Sequence, residues 1–367
     1  MTIRKKSPDF GLLLVTFILL AIGLVMVYSS TAVSAINTFG SSFYYLKRQV
    51  LFAMVGLIGM YICMRLNYWK WKKLIKLLFL INFLFLLVIL IPGVGHTVGG
   101  ATRWINLGFM RFQPSDLTKF VMVLFTANFL SLRDERVKSF SSGILPLLIV
   151  IGVTFALIMQ QPDFGTGMTI IGFIGIMLFI AGASLKHLVP LAAIGLAGIP
   201  LIAKLAPYRA QRMTVFWDPW VDPLGSGYQI IQSLYAIVGG GLTGVGLGAS
   251  KQKLDYLPEG QTDFIFSILI EEFGFLGGAF VIALFCFFTW RGFKIAASAP
   301  DRFSYLLAMG LTVMISFQAF INIGVATAML PTTGLTLPLI SFGGTSLLIT
   351  LASIGVILNI SRFSTDY

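Results

Sequence analysis

The amino-acid sequence predicts an all-α polytopic membrane protein, with ten transmembrane helices and a large extracytoplasmic loop between the seventh and the eighth. Three observations carry that prediction. Apolar residues make up 57% of the 367 and charged residues only 11%, against roughly 45–50% and 25% in a soluble domain. Mean hydropathy is +0.91. The apolar residues gather into runs close to the about 20 residues that a helical span requires.

The runs lie near 10–30, 49–66, 74–92, 117–132, 143–161, 166–184, 186–206, 263–290, 303–328 and 341–361. The first follows "RKK" at 4–6 and precedes "AVSA" at 32–35, an imitation of a secretory signal with its cleavage site. Its length, and the spans after it, favour an uncleaved first helix. Before the third run, "YWKWKK" at 68–73 reads as an interfacial anchor, with rings at headgroup depth and lysines reaching water. The fourth run is short and the eighth long. Ten spans place both termini on one side.

Lysine and arginine set the orientation. With the N-terminus inside, Arg4, Lys5, Lys6, Arg65, Lys70, Lys72, Lys73, Lys76, Arg133, Arg136, Lys138, Lys186, Arg291, Lys294, Arg302 and Arg362 are cytoplasmic, the larger share of the 26 basic residues. The bias predicts cytoplasmic termini in a bacterial cytoplasmic membrane. The net charge of +12 is distributed beside apolar runs, which argues against nucleic acid as a partner. Cys63 and Cys286 fall within apolar runs and offer no disulfide or metal framework. His96 and His187 lie in different loops.

The chain reads as a single integral membrane domain, 1–367, with extracytoplasmic loops at about 93–116 and 207–262 and a short polar segment at 330–346. Within the second loop, "YQIIQSLYAIV" has the composition of an interfacial or re-entrant helix. The glycine runs "GGG" at 239–241 and "GVGLGAS" at 244–250 lack a preceding strand and the spacing of a phosphate loop. They read as tight turns or close packing.

The polar residues of these loops fall on one predicted face. They include Arg103, Trp104, Arg111, Gln113, Ser115 and Asp116, then Gln160, Gln161 and Asp163 of "QQPDFGTG". The long loop adds Arg209, Arg212, Lys251, Lys253, Asp218, Asp222, Asp255, Glu259 and Asp263. Cations bind phosphates, carboxylates take protons and aromatic rings stack on sugars, so the set suits a lipid-linked phosphosugar. Structural ion pairs, and a rigid turn framework for "WDPWVDP", are the simpler alternatives. Thr262 is a candidate N-cap for the eighth span, with Asp263 in its first turn as a base or a structural acid. Glu271 and Glu272 lie about 12–13 Å deeper, at about 1.5 Å per residue. An acid at such depth needs a cavity or a partner; their role is unassigned.

"GATRWINLGFMRFQPSDLTK", "QQPDFGTG", "APYRAQRMTVFWDPWVDPLGSGYQIIQSLYAI", "GVGLGASKQKLDYLPEGQTDFIF", "EEFGFLGG" and "LPTTGLTLPLISFGGTSLL" follow one another along the chain. Together they resemble the signature segments of the SEDS (shape, elongation, division and sporulation) family of FtsW, RodA and SpoVE. The wording is closest to its FtsW/SpoVE branch from Gram-positive, spore-forming bacteria. The resemblance implies an inverting peptidoglycan glycosyltransferase that polymerises lipid II outside the membrane, for division or spore cortex synthesis. It implies Asp263 as the essential acid, with Arg103, Trp104, Gln113, Ser115, Arg209, Arg212, Lys253 and Glu259 as substrate-binding positions. It also implies a class B penicillin-binding protein as partner, alongside other divisome or sporulation membrane proteins. A divalent cation, magnesium or manganese, is an expected cofactor, with Glu259 as its candidate ligand. A lipid II flippase and a non-catalytic scaffold for the penicillin-binding protein are the rival expectations.

Overall fold

The structure, a computed structural model, describes residues 6–98, 100–108, 110–133, 136–204 and 207–364; the side chains of residues 98, 196, 199–204 and 207–209 lie outside the description. Among the described residues, every predicted apolar run is helical. These helices are α1 (Phe10–Phe39), α2 (Tyr44–Arg65), α3 (Tyr68–Val88), α4 (Pro114–Ser131), α5 (Leu145–Met159), α6 (Phe164–Ile180) and α7 (Leu185–Lys204), then α10 (Ile265–Ala297), α11 (Arg302–Ala326) and α12 (Gly344–Ser361). Two further helices, α8 (Pro207–Trp217) and α9 (Tyr228–Gly240), form within the long segment between α7 and α10. By length and composition, six helical stretches among the described residues suffice to cross a membrane: 10–39, 44–65, 140–159, 265–297, 302–326 and 344–361.

Local chemistry sets the boundaries. Asp9 caps α1 by accepting from the Leu12 amide at 2.8 Å, and Gly40 ends it at φ +70°. Pro114 opens α4 at a position where its missing N–H costs nothing. Asp301 and Ser304 form a reciprocal capping box on α11. α11 and α12 are central, with 67% and 72% of their most apolar windows buried, against 28% for α2 and α10. α12 packs on α2, α11 on α4, α6 and α10, and α9 on α10.

One expectation needs correction. The fold is not purely helical, because a three-stranded antiparallel sheet, β1 (Gly95–Val98), β2 (Ala101–Asn106) and β3 (Arg111–Phe112), occupies the first loop in the order β1-β2-β3. Gly100, at φ +77°, supplies the turn between the first two strands. "YWKWKK" forms the first turns of α3. Tyr68 is buried and donates to Asp301 Oδ2 at 2.5 Å, and the Trp71 ring meets Phe120 edge-on.

Candidate active site

α10 begins at Ile265, and its N-cap, Phe264, has no side-chain cap bond. Thr262 is therefore not the cap that the sequence suggests. Its hydroxyl turns back to the Glu259 carboxylate at 2.9 Å, and the amides of Thr262, Asp263 and Phe264 converge on the Glu259 carbonyl at 3.1, 3.1 and 3.3 Å. Asp263 is held in this turn just before the helix rather than in its first turn. The segment 330–343 clamps it from the other side. Asn322 Nδ2 donates to the Asp263 carbonyl at 2.8 Å and to that of Leu335 at 2.6 Å. Ser341 Oγ donates to the Thr262 carbonyl at 2.5 Å, and the Phe342 amide to that of Gln261 at 2.9 Å.

Arg103 reaches the same place from the sheet. The β1–β2 register passes from His96–Trp104 to Thr97–Thr102, so Arg103 is the unpaired residue of a bulge, a device that re-aims a side chain. It donates to the carbonyls of Gln161 (3.4 Å) and Pro162 and lies 3.7 Å from Asp163 Oδ1. Asp163, fully buried, caps α6 and accepts from Ser115 Oγ at 3.0 Å and Gln113 Nε2 at 3.4 Å. Gln113 and Ser115 thus act on Asp163, which faces Arg103. Arg212 Nη1 donates to the Thr332 carbonyl at 3.0 Å. A Cβ on Gly334 would lie 3.6 Å from Arg103 Nη1 and 3.7 Å from Asp263 Oδ2, so this glycine stands between the carboxyl and the guanidinium.

Burial and the neighbouring Glu259 and Asp163 charges push the Asp263 carboxyl up, and Arg212 and Arg103 pull it down. Burial leads, and the result is about 7. Gly334→Ala is expected to keep the fold, because the added methyl meets only ordinary contacts. Its φ of +77° costs an L-residue about 1–2 kcal/mol. Thermal unfolding should fall modestly while turnover falls further; unchanged turnover would mean that the gap between Arg103 and Asp263 is not used.

Other predicted positions are placed differently. Trp104 is half-buried and pairs with His96. Glu259 is exposed at the turn, and the Arg209 side chain lies outside the described residues. Lys253 is withdrawn from the Asp263 group. Its Nζ lies 2.9 Å from Glu272 Oε1 and 3.1 Å from Ser29 Oγ, in a pair almost wholly shielded from solvent. Glu271 accepts from Ser250 Oγ and from the amides of Lys251 (2.9 Å) and Gln252 (3.4 Å). Glu271 and Glu272 thus fasten the segment 250–253 to α10 and α1.

That fastening continues through the backbone. α10 breaks at Gly274 (φ 70°, ψ −173°), and residues 241–246 enter the break. The Val245 and Gly246 amides donate to the carbonyls of Glu271 and Glu272 at 2.9 and 3.0 Å; those of Phe275 and Leu276 donate to Gly241 and Leu242 at 2.9 and 3.2 Å. A Cβ on Gly244 would come within 2.2 Å of the Glu272 carbonyl oxygen. The glycine run is there for this close approach.

Among the described residues, no group of three or more His, Cys, Asp and Glu side chains converges to hold a metal alone. Asn322 and Gly334 are site residues that the reading of the sequence left without a role, and Asp163 stood there only as one of the polar set. Asp163 is visible there as an acid in a Gly- and Pro-flanked loop, and Asn322 as an isolated amide in an apolar run.

The family model described as a cell cycle protein, FtsW/RodA/SpoVE, matches residues 10–366. The chain belongs to the FtsW/RodA/SpoVE family. It is 49% identical to stage V sporulation protein E of Bacillus subtilis over 99% of this chain and 100% of that one. It is 42% identical to a probable peptidoglycan glycosyltransferase FtsW of Geobacter sp. (strain M18), over 98% of each. Among solved structures of the family, the rod shape determining protein RodA of Thermus thermophilus superposes with a TM-score of 0.70 at 27% identity, covering 98% of this chain and 99% of that one. A chain from a peptidoglycan synthase complex, described for its structural coordination of polymerization and crosslinking, gives 0.78 at 31% identity, covering 97% and 98%. Membership of the FtsW/RodA/SpoVE family makes the chain a multi-pass membrane protein.

Proposed function

We propose that the chain is a peptidoglycan glycosyltransferase that joins lipid II into glycan strands, with Asp263 as its base. One observation carries the reading: a carboxyl held in a pinned turn and facing Arg103 across Gly334, where burial pushes its pKa up to about 7. A base works best when its pKa lies near the working pH. In the proposed step the Asp263 carboxylate takes the proton of the acceptor GlcNAc 4-hydroxyl, which must come within about 3 Å. That oxygen attacks C1 of the donor MurNAc with inversion. The C1–O bond breaks, and its electron pair leaves on undecaprenyl pyrophosphate. Arg103 and Arg212 stabilise the departing charge, and Arg209, a substrate-binding position by resemblance, would add to it. Gln113 and Ser115 support Arg103 through Asp163, and Trp104 is assigned to a sugar face.

Magnesium or manganese suits this donor set. Glu259 raises the Asp263 pKa by repulsion, and a cation relieves such repulsion. Magnesium commonly binds through one or two carboxylates together with substrate phosphates and water. Glu259 would hold it against the pyrophosphate, where it would supply charge neutralisation.

The proposed topology has ten spans, α1–α7 and α10–α12, in a single domain, 1–367. Both termini are cytoplasmic, and the sheet, α8 and α9 lie outside, where lipid II presents its sugars. A class B penicillin-binding protein is the proposed partner, supported by the likeness to the peptidoglycan synthase complex. Other divisome or sporulation membrane proteins would join it. The flippase reading is less well supported, since Glu271 and Glu272 are engaged by Lys253, Ser29 and the outer segment. The deciding assay incubates lipid II with the purified protein and its cognate penicillin-binding protein. Glycan strands are expected; translocation across liposomes without strands would favour the flippase.

The pH dependence tests the electrostatics. The base must be ionised, so activity is expected to fall as pH drops through about 7. Glu259→Gln removes a charge that raises the Asp263 pKa and should move this acid limb to lower pH. Arg212→Gln should move it to higher pH. A limb that neither change displaces belongs to another group.

A further inference from the structure

The bundle interior holds an ion pair that the proposed chemistry does not use. Asp116 and Lys119 stand three residues apart on α4, with Lys119 Nζ 2.9 Å from Asp116 Oδ1 and both side chains buried. The cavity beside them, closed by Pro338, Ser346 and Thr350, has a volume of about 10 Å³. That is room for one water at most, so the pair is no ligand site. It reaches outward instead, through Gln318 of α11. An ammonium can only donate, and that of Lys119 meets Gln318 Oε1 at 2.7 Å. The Gln318 oxygen must therefore face Lys119, which turns its NH2 group toward Thr336. That group donates to the Thr336 carbonyl at 2.8 Å and to its hydroxyl at 3.3 Å. Asp116 balances the ammonium, without which a lone buried cation would be costly. We propose that Gln318, oriented by the Lys119–Asp116 pair, is a positioning residue for Asp263.

The path to Asp263 is short. Asn322 lies one turn further along α11, on the same face as Gln318. The two amides hold successive carbonyls of the 330–343 segment, Gln318 that of Thr336 and Asn322 that of Leu335 at 2.6 Å. Asn322 holds the Asp263 carbonyl as well. Gly334, next to Leu335, stands between the Asp263 carboxyl and Arg103. Thr336 Oγ1 also meets Ser346 Oγ of α12 at 2.9 Å, so two helices grip the segment at this residue. Without the Gln318 bond the segment keeps its hold at Leu335 but is free to turn about it, and the gap at Gly334 changes. A misplacement of about 1 Å at reacting groups costs up to about 10²-fold in rate. Positioning in this sense presupposes Asp263 as the base.

The test has two readouts. The first is strand formation from lipid II, with the penicillin-binding partner present, by Gln318→Met, by Asp116→Asn/Lys119→Met and by the triple variant. Changing both members of the pair leaves no unpaired ion. Gln318→Met should lower kcat by about 10-fold to 10²-fold at unchanged KM. The pair variant should also lose kcat, and the triple variant should fall no further than Gln318→Met, because the pair acts through that amide. Losses that multiply, or an unchanged kcat in Gln318→Met, overturn the proposal. The second readout needs no turnover: hydrogen–deuterium exchange of residues 330–343 should be faster in each variant than in the wild type. Unchanged exchange overturns the proposal. A wild type that forms no strands refutes the reading of Asp263 as base, and exchange then decides the tether by itself. If Gln318→Met does not fold, the pair variant is judged by both readouts. Failure of both variants to fold makes the network structural and also overturns the proposal.

Discussion

Asp263→Asn is expected to abolish strand formation, with a loss of about 10²–10⁴-fold if the carboxylate acts as a general base. The fold should persist. The bonds that pin this position run through backbone atoms, from Asn322 to its carbonyl and from its own amide to Glu259. An asparagine of the same shape keeps them. The measurement is glycan product from lipid II, with the penicillin-binding partner present, beside the thermal unfolding of each protein. Loss of product at unchanged melting temperature is the expected pair of results. Equal product from both proteins would remove Asp263 from the chemistry, and loss of both product and folding would make it structural.

Lys253→Met should unfold the protein more readily without acting on substrate affinity. Its ammonium lies 2.9 Å from Glu272, with side-chain exposures of 6% and 0%. Removing one partner leaves the other charged and buried, at a cost of about 3–5 kcal/mol. Glu272→Gln alone should cost a similar amount, and the double change much less than the two together, since it leaves no uncompensated charge. Melting of the four proteins in detergent gives the coupling directly. The residue lies among family positions assigned to substrate, and that role predicts the reverse pattern: a raised KM at unchanged stability. That pattern would refute the tether.

The contrast between these two residues shows what was legible in the sequence. Apolar runs located the helices, because a span must be apolar over its length whatever it packs against. Asp263 stood out as an acid at the mouth of such a run. The partner of Lys253 did not, since Glu272 lies 19 residues on, beyond a turn and a helix start, Ser29 lies 224 residues back, and no periodicity links them. The Gly274 break was hidden for a related reason. Hydropathy is continuous through residues 265–297, and the interruption depends on a distant segment that supplies the missing partners. Asp163 gained its role from the bulge that aims Arg103 toward it, a detail of strand register and not of composition.

The plug at Gly274 also constrains how the gene can change. Each residue added to or removed from a helix rotates everything beyond it by about 100° and shifts it by about 1.5 Å. An insertion between Lys253 and Glu259 can be absorbed in the intervening loop, but one between Glu271 and Leu276 would pull carbonyls and amides out of register with residues 241–246. Deletions there would do the same. Lineages descended from this chain are therefore free to vary the length of the loop, whereas the two tracts that interlock must keep theirs and drift together.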